Sequence, residues 1–191
     1  MSSIVRIRGL LFDPRAEWAR IESENRSIFD LYLRHVALLA AFPPFASFAG
    51  GWLYGVRRAH VIVHPDLAAG LLRAVVQYVL TFPALFIAAF VISMAAPFFD
   101  GRSDDRRAFT LVVYSWTPSW LASLFGLVPY ARWLDLLGLY GLWIFYLGMP
   151  QMTKCPKEHA DVFTLAALFV AVGVGALHAG LVRWIAPGAW L

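Results

Sequence analysis

Five long runs of apolar residues constrain this chain more than any other feature of its sequence. The runs cover residues 31–54, 67–99, 109–128, 133–149 and 162–185. Each approaches the roughly 20 residues that a helix needs to cross about 30 Å of hydrocarbon. A transmembrane β-barrel would show short alternating segments instead. The pattern predicts an all-α polytopic membrane helix bundle: a five-span domain over residues 31–191, preceded by a cytoplasmic segment over residues 1–30.

The composition agrees with a membrane environment. Hydrophobic residues make up 60% of the chain and charged residues 15%, against about 45–50% and 25% in soluble domains. The net charge is +4, but the basic residues lie between the apolar runs rather than in one patch. We therefore expect no nucleic-acid partner, and membrane lipids as the main contact of the surface.

The N-terminal segment has the pattern of a short amphipathic helix. Asp13 can cap its exposed amides and Pro14 suits its first position. Apolar Trp18, Ile21 and Ile28 then recur near the helical period, with charged residues on other faces. Two compatible interpretations remain: a helix in the membrane interface, or a helix packed on the protein's own cytoplasmic end. The segment has no apolar stretch of signal-peptide length.

The distribution of basic residues predicts the orientation. With a cytoplasmic N-terminus, the inner segments carry Arg6, Arg8, Arg15, Arg20, Arg26, Arg34, Arg102, Arg106, Arg107, Lys154 and Lys157. The outer segments then carry only Arg57, Arg58, Arg73, Arg132 and Arg183. This excess favours an N-terminus inside and, with five spans, a C-terminus outside. We expect a multi-pass protein of the bacterial inner membrane.

Three features describe how the spans pack. Residues 129–132 are short enough to join the third and fourth spans as an antiparallel hairpin. Thr117 and Pro118 predict a kink in the third span, because proline removes one helical hydrogen bond. Ala171, Gly175 and Ala179 form a small-residue face on the fifth span, which permits close approach within the chain or in a homo-oligomer.

Several of these residues resemble a known pattern. The entry Phe12-Asp13-Pro14 is followed by Trp18, Ile21 and Glu22. The central stretch carries Tyr114, Thr117, Pro118, Trp120, Leu121, Pro129, Tyr140, Tyr146 and Gly148. Together they resemble bacterial members of the Yip family, named for interaction with Ypt/Rab-type GTPases. The resemblance implies an integral membrane role, which in eukaryotes is linked to vesicle traffic.

Polar and ionisable residues within the spans form a candidate polar cluster. Its members are Arg73, Gln77, Asp135 and His178, and the predicted topology places them in the outer half of the membrane. Since a charge at depth costs about 2.5–3.5 kcal/mol on insertion scales, these groups should converge. One interpretation is an outward-facing cavity with Asp135 as counter-ion to Arg73. The others are a structural ion pair, or arginines extending separately to headgroups.

At the inner side, Arg34 and His35 begin the first span. They would contact either lipid phosphates or the loop that carries Asp100, Asp104 and Asp105.

Signals for catalysis or metal binding are weak. His60 and His64 lie beside Asp66, and Cys155 precedes His159 by four residues, but neither pair has a fixed third ligand. Ser119 and His178 lack the glycine pattern that shapes a serine nucleophile. We expect neither an enzyme nor a metal or cofactor site.

Two functions remain open from the sequence. The leading one is a non-enzymatic membrane protein that acts through lipid, helix or protein-partner contacts in membrane organisation or a trafficking-like role. The alternative is a small transporter, channel or lipid scramblase that uses the outward-facing polar cavity.

Overall fold

A computed structural model describes residues 3–24, 26–58, 61–102 and 104–187. The chain is almost entirely helical over these residues. The α-helices are α1 (Ser3–Phe12), α2 (Pro14–Ser23), α3 (Ile28–Leu31), α4 (Ala37–Leu39), α5 (Phe42–Tyr54), α6 (Leu67–Ala95), α7 (Asp105–Ala122), α8 (Tyr140–Thr153) and α9 (Lys157–Ile185). The predicted all-α membrane helix bundle is confirmed.

Other helical geometries extend or connect these elements. Tyr32–Val36 is a π-helical turn between α3 and α4. Segments of 3-10 helix cover Ala96–Phe99, Ser123–Leu127 and Pro129–Leu139. A two-stranded antiparallel hairpin of β1 (Val56–Arg58) and β2 (Val61–Val63) follows α5. The β-branched valines and the isoleucine of this segment favour strands.

Three segments have the length and composition of membrane-crossing helices: Ile28–Tyr54, Leu67–Phe99 and Lys157–Ile185. The other two predicted spans are less regular. α7 has 18 residues and continues as 3-10 helix from Ser123. α8 has 14 residues and follows the 3-10 helix that begins at Pro129. The helix count therefore differs somewhat from the prediction, since the apolar run over residues 133–149 is divided between two helix types.

The helix of the first apolar run is interrupted before its proline pair. A turn at Ala40 and Ala41 separates α4 from α5, and Pro43 and Pro44 lie in the first turn of α5. Proline is tolerated there because the first amides of a helix have no intrahelical acceptor. The segment Ile28–Tyr54 is therefore composed of shorter helices.

The predicted start of the amphipathic helix is confirmed. The Asp13 side chain accepts a hydrogen bond from the amide of Ala16 at 3.2 Å, and Pro14 is the first residue of α2. Residues before this cap also form a helix, α1, which the sequence had not indicated. Trp18 and Ile21 of α2 are buried against the bundle, so α2 is packed on the protein's own end.

Trp18 fixes this contact. Its indole N–H donates to the carbonyl oxygen of Ile144 at 2.9 Å, and its ring meets Tyr114 edge-on at 6.3 Å. A Cβ atom at Gly148 would lie 2.4 Å from the indole Cε2. Gly148 therefore leaves the notch on α8 that receives the ring. α2 is thereby joined to the hairpin of α7 and α8.

The predicted hairpin is observed. α7 and α8 pack along each other, and the 3-10 segments Ser123–Leu127 and Pro129–Leu139 meet at the turn. Ser119 on α7 donates a hydrogen bond to the carbonyl oxygen of Gly138 at 3.0 Å. This bond ties the end of α7 to the 3-10 helix that returns beside it.

We predict that Gly148→Ala lowers the thermal stability of the detergent-solubilised protein, because the added methyl group overlaps the Trp18 ring. Overpacking of this kind typically costs about 1–3 kcal/mol. The measurement is thermal unfolding followed by tryptophan fluorescence. Gly173→Ala on α9 is the matched control, since a Cβ there has no atom within 4 Å. Equal melting temperatures for the two variants would contradict the packing described.

Candidate functional site

A buried ion pair holds the two N-terminal helices together. The Arg6 side chain of α1 and the Glu17 side chain of α2 are each 1% exposed, and their charged groups lie 2.5 Å apart. Arg6 also pairs with Glu24 and lies 5.7 Å from the centroid of the Tyr114 ring. Because both charges are out of water, each depends on the other for its stabilisation.

Glu24 extends this ion pair to the start of the first membrane segment. Its carboxylate is 2.9 Å from the Arg26 guanidinium. Burial raises the pKa of Glu24, but the hydrogen bond and charge of Arg6, together with Arg26, outweigh burial and leave the pKa below its usual 4.5. The carboxylate is therefore ionised at neutral pH and links α1 to the segment before α3.

The structure places His35 differently from the sequence-based expectation. The ring is buried rather than in contact with lipid or with the loop of Asp100, Asp104 and Asp105. Its Nε2 lies 2.9 Å from the Thr117 hydroxyl, and Tyr114 meets the ring edge-on at 4.9 Å. The π-helical turn shifts the helix register here and directs the ring inward. Arg34 remains at the surface, 2.6 Å from Asp30.

The residues of the predicted kink take part in this contact. Thr117 donates to the carbonyl oxygen of Val113 at 3.3 Å while it bonds His35. Pro118 lies inside α7, and the helix changes to 3-10 geometry five residues later. Proline has no amide hydrogen for the carbonyl one turn earlier, so side chains have a larger role in this stretch.

An opening in the bundle lies between α6, α7 and α9, beside Pro43 of α5. It encloses about 320 Å³, and its polar wall residues are Gln77, Thr81, Ser119, Ser123 and His178. The rest of its wall is apolar, including Trp116 and the small residues Ala171 and Gly175. We call this opening the lateral groove. Two members of the predicted polar cluster meet there, since His178 Nε2 lies 3.2 Å from the carbonyl oxygen of Gln77.

A second cavity adjoins the lateral groove. It encloses about 200 Å³ between α6, α7, α8 and α9. Both cavities share the wall residues Ala88, Trp116, Ser119 and Ala171. We call this second space the inner chamber. The lateral groove and the inner chamber are therefore neighbours on the two sides of these residues.

The charged members of the predicted cluster lie apart from this opening. Asp135 is in the 3-10 helix Pro129–Leu139, where it bonds the backbone of Gly126 and is near Arg132. Arg73 is half-buried on α6, with Arg183 as a charged neighbour. Neither Arg73 nor Asp135 lines the lateral groove. Arg132 follows the turn closely in sequence, so it provides a nearer counter-charge for Asp135.

Part of the small-residue face of α9 lines an open space. Ala171 and Gly175 line the lateral groove, and a Cβ at Gly175 would have no atom within 4 Å. α9 packs mainly on α6 and less on α8. At Gly175 the small residue therefore leaves space beside α7 instead of bringing two helices into contact.

Those residues considered for metal binding that the structure describes do not form a cluster. His60 lies outside the described residues. Within residues 3–24, 26–58, 61–102 and 104–187, no group of three His, Cys, Asp or Glu side chains is arranged to hold a metal ion. Cys155 is buried beside the Phe99 carbonyl, and burial and the charge of Asp100 raise the pKa of its thiol. Asp100 itself lies 3.0 Å from His159.

Sequence reasoning missed the Arg6–Glu17 pair and the inner chamber. The pair joins two helices across a cap, and the sequence carried no periodic signal for α1. The chamber depends on how α7, α8 and α9 diverge, which no local pattern reports. The weak signal for the pair was Arg6, a charged residue between the apolar Val5 and Ile7.

The residues that carried the family resemblance gather around the contact of α2 with the hairpin. Trp18, Tyr114, Thr117 and Gly148 all lie there, in contact with one another or with His35. The architecture and its long apolar helices define a helical integral membrane protein. The Yip1 domain family model matches residues 8–179, and the chain belongs to this family.

Two curated relatives are similar over most of their length. They are "Inner membrane protein YohC" from Escherichia coli K12 and the protein of the same name from an O6:H1 strain of that species. Each is 28% identical over 172 residues, which cover 86% of this chain and 87% of the relative. No solved structure matches the chain significantly.

We predict that Arg6→Met destabilises the protein strongly, since Glu17 then keeps a buried charge without its closest partner. Breaking a buried pair typically costs about 3–5 kcal/mol. Thermal unfolding in detergent measures the loss. Arg34→Met is the control, because the Arg34–Asp30 pair is at the surface, where such pairs contribute little. A melting temperature for Arg6→Met equal to that of the control would contradict a stabilising role.

Glu24 predicts an acid-sensitive component of stability. Because the folded pKa of Glu24 is below 4.5, its contribution is present above that pH and is lost as the pH falls through the folded pKa. The melting temperature should therefore fall more steeply below about pH 4.5 in the wild type than in Glu24→Gln. Parallel melting curves between pH 7 and pH 3 would show that Glu24 contributes nothing.

Proposed function

We propose that this protein is a non-enzymatic integral membrane protein that binds the apolar chain of a membrane lipid in its lateral groove. One observation carries the proposal: an opening of about 320 Å³ lies between two long apolar helices and α7. Ligand pockets in proteins typically enclose about 300–1,000 Å³ and combine apolar walls with a few polar groups. The lateral groove has both properties.

Its position favours a lipid over a water-soluble ligand. α6 and α9 are both apolar enough to cross a membrane, and most of the surface of α9 is exposed. Since hydrocarbon surrounds such a helix, the molecules next to the groove are acyl and isoprenoid chains. The gap beside Gly175 gives them a lateral entrance between α7 and α9.

The arrangement of polar groups supports binding rather than catalysis. Ser119 and His178 both line the groove but are bonded separately, Ser119 to Gly138 and His178 to Gln77. A serine nucleophile requires its histidine within hydrogen-bond reach. The groove lining also lacks Arg73 and Asp135, which the alternative of an ion or lipid transporter had required.

The N-terminal helices provide a second lipid contact. Phe12 is 82% exposed and Ile4 is 79% exposed, and exposed Arg8, Arg15 and Arg20 lie on the same two helices. Apolar side chains beside arginines are typical of helices at an anionic membrane interface. The interfacial interpretation is therefore compatible with the burial of Trp18 on the other face.

Location and assembly follow from the same considerations. Similarity to a relative named as an inner membrane protein supports the bacterial inner membrane. The excess of basic residues at the N-terminal end supports a cytoplasmic N-terminus and an external C-terminus. A homo-oligomer or a protein partner on the small-residue face of α9 stays a prediction.

The groove can be tested with a phospholipid that carries a photoreactive acyl chain, reconstituted with the protein in liposomes. We predict labelling at residues of α7 and α9, and about a tenfold loss in Gly175→Trp, equivalent to about 1.4 kcal/mol of binding. The indole would fill the space beside Ala171. Gly173→Trp is the matched control on the outward face of α9.

Equal labelling of the wild type and Gly175→Trp, with normal folding of both, would contradict the proposal. The same liposomes permit assays of ion flux and lipid scrambling. Flux or scrambling above that of protein-free liposomes would favour the transporter alternative instead.

A further inference from the structure

The wall of the lateral groove changes from polar to apolar along α6. Gln77, Thr81, Ala84 and Ala88 all line the groove, and their spacing of three or four residues places them on one face of the helix. At the polar end, His178 of α9 lies 3.2 Å from the carbonyl oxygen of Gln77. An amphipathic molecule therefore fits with its polar part near this histidine and its chain toward Ala88.

The length of this face suits one acyl chain. Gln77 and Ala88 both line the groove, and the rise of an α-helix separates them by about 16 Å. Half of a hydrocarbon core of about 30 Å is about 15 Å, which is the depth that the acyl chains of one leaflet cover. A lipid whose chain fills the groove therefore has its headgroup just beyond Gln77.

Two arginines lie at this position. The ring of Phe99, which follows α6, stacks on Phe163 near the start of α9 at 4.6 Å, while the histidine contact joins the opposite parts of the two helices. α6 and α9 are therefore antiparallel. One turn beyond the histidine contact, Arg73 of α6 and Arg183 of α9 reach similar levels, and Arg183 is a charged neighbour of Arg73.

The lengths of the two helices place these arginines near the lipid headgroups. α6 and α9 have 29 residues each, which corresponds to about 43 Å and exceeds the roughly 30 Å of hydrocarbon. Their terminal turns therefore extend beyond the hydrocarbon. Arg73 lies about 9 Å from the first residue of α6, and Arg183 about 3 Å from the last residue of α9. Arginine side chains extend to lipid phosphates from such positions.

The charge of this pair selects among lipid headgroups. Arg183 is exposed and Arg73 is half-buried, and both carry a positive charge on neighbouring helices. Guanidinium groups bind phosphate oxygens through charge-assisted hydrogen bonds. An anionic headgroup reduces the repulsion between the two arginines, whereas the trimethylammonium group of a zwitterionic headgroup adds a third positive charge. The pair therefore favours a headgroup with a net negative charge.

We propose that Arg73 and Arg183 together bind the phosphate of an anionic phospholipid whose acyl chain lies in the lateral groove. Gln77 and His178 then face the ester region between the phosphate and the chain. The inference rests on the proposed function, because it names the class of lipid that the groove takes. No covalent step is involved.

The test compares two lipids with the same photoreactive acyl chain: phosphatidylglycerol, which is anionic, and phosphatidylcholine, which is zwitterionic. Each is a trace component of otherwise identical liposomes that contain the full chain, and labelling of α7 and α9 is located by mass spectrometry. In the wild type, labelling by phosphatidylglycerol should exceed that by phosphatidylcholine about fivefold or more. Arg183→Gln and Arg73→Gln should each lower this ratio about fivefold, because each removes one basic residue from the headgroup region. Arg183→Lys keeps the charge and should retain most of the preference.

Arg132→Gln is the matched control. It removes an exposed arginine that does not line the lateral groove, and it changes the net charge by the same amount. Its ratio should equal that of the wild type. Thermal unfolding of every variant accompanies the labelling, and Arg183→Gln keeps the test decisive if the half-buried Arg73 is needed for folding. Free sn-glycerol 1-phosphate, a headgroup without chains, should leave the labelling unchanged.

The outcomes separate the two proposals. The headgroup site is overturned, while the groove stands, if Gly175→Trp loses its label but Arg183→Gln keeps the wild-type ratio. An equal loss in Arg132→Gln would show attraction by overall charge, and displacement by glycerol phosphate would show a site for a soluble anion; either result overturns the inference. If Gly175→Trp is labelled like the wild type, the groove itself is wrong.

Discussion

The insertion of Trp18 into the notch at Gly148 is the contact on which the rest of this architecture depends. It brings α2 against the hairpin of α7 and α8, and the indole N–H satisfies the carbonyl of Ile144 in the process. Tyr114 lies against the same ring. Once α2 is fixed, α1 can place Arg6 beside Glu17 without exposing either charge to lipid. The Trp18 ring, the space left at Gly148 and the Arg6–Glu17 ion pair thus depend on each other.

The part of the bundle around α9 is packed less tightly. There α9 contributes small residues where it passes α7, and the helices leave space instead of closing it. Hydrocarbon cannot drive two apolar helices together as water does, because lipid chains are as apolar as the side chains. Packing must therefore be supplied by complementary shapes. Where the helix surfaces do not fit together, as beside Gly175, a lipid chain can occupy the space between them.

The sequence predicted those parts of the fold that depend on residues close together in the chain. The apolar runs predicted the membrane helices, Asp13 and Pro14 predicted the start of α2, and the short segment at 129–132 predicted the hairpin. His178 and Gln77 were also expected to be neighbours, and they are.

Features that depend on the relative placement of helices were not predicted. We expected Arg73 and Asp135 to converge because the predicted topology placed both charges at a similar depth in the membrane. In the structure, Asp135 lies near Arg132 of the same short segment. The inward direction of His35 arises from the π-helical turn, which no residue pattern specified.

The slight burial of α9 has a consequence for biogenesis. Only 11% of its apolar window is covered by the rest of the protein, against 39% for Ile28–Tyr54 and 33% for Leu67–Phe99. α9 also leaves the ribosome after α1 to α8, and domains form from the N-terminal side during synthesis. The contacts of α1 to α8 can thus be complete before α9 docks. The lateral groove gains its α9 wall only when α9 docks, while lipid already surrounds the nascent protein.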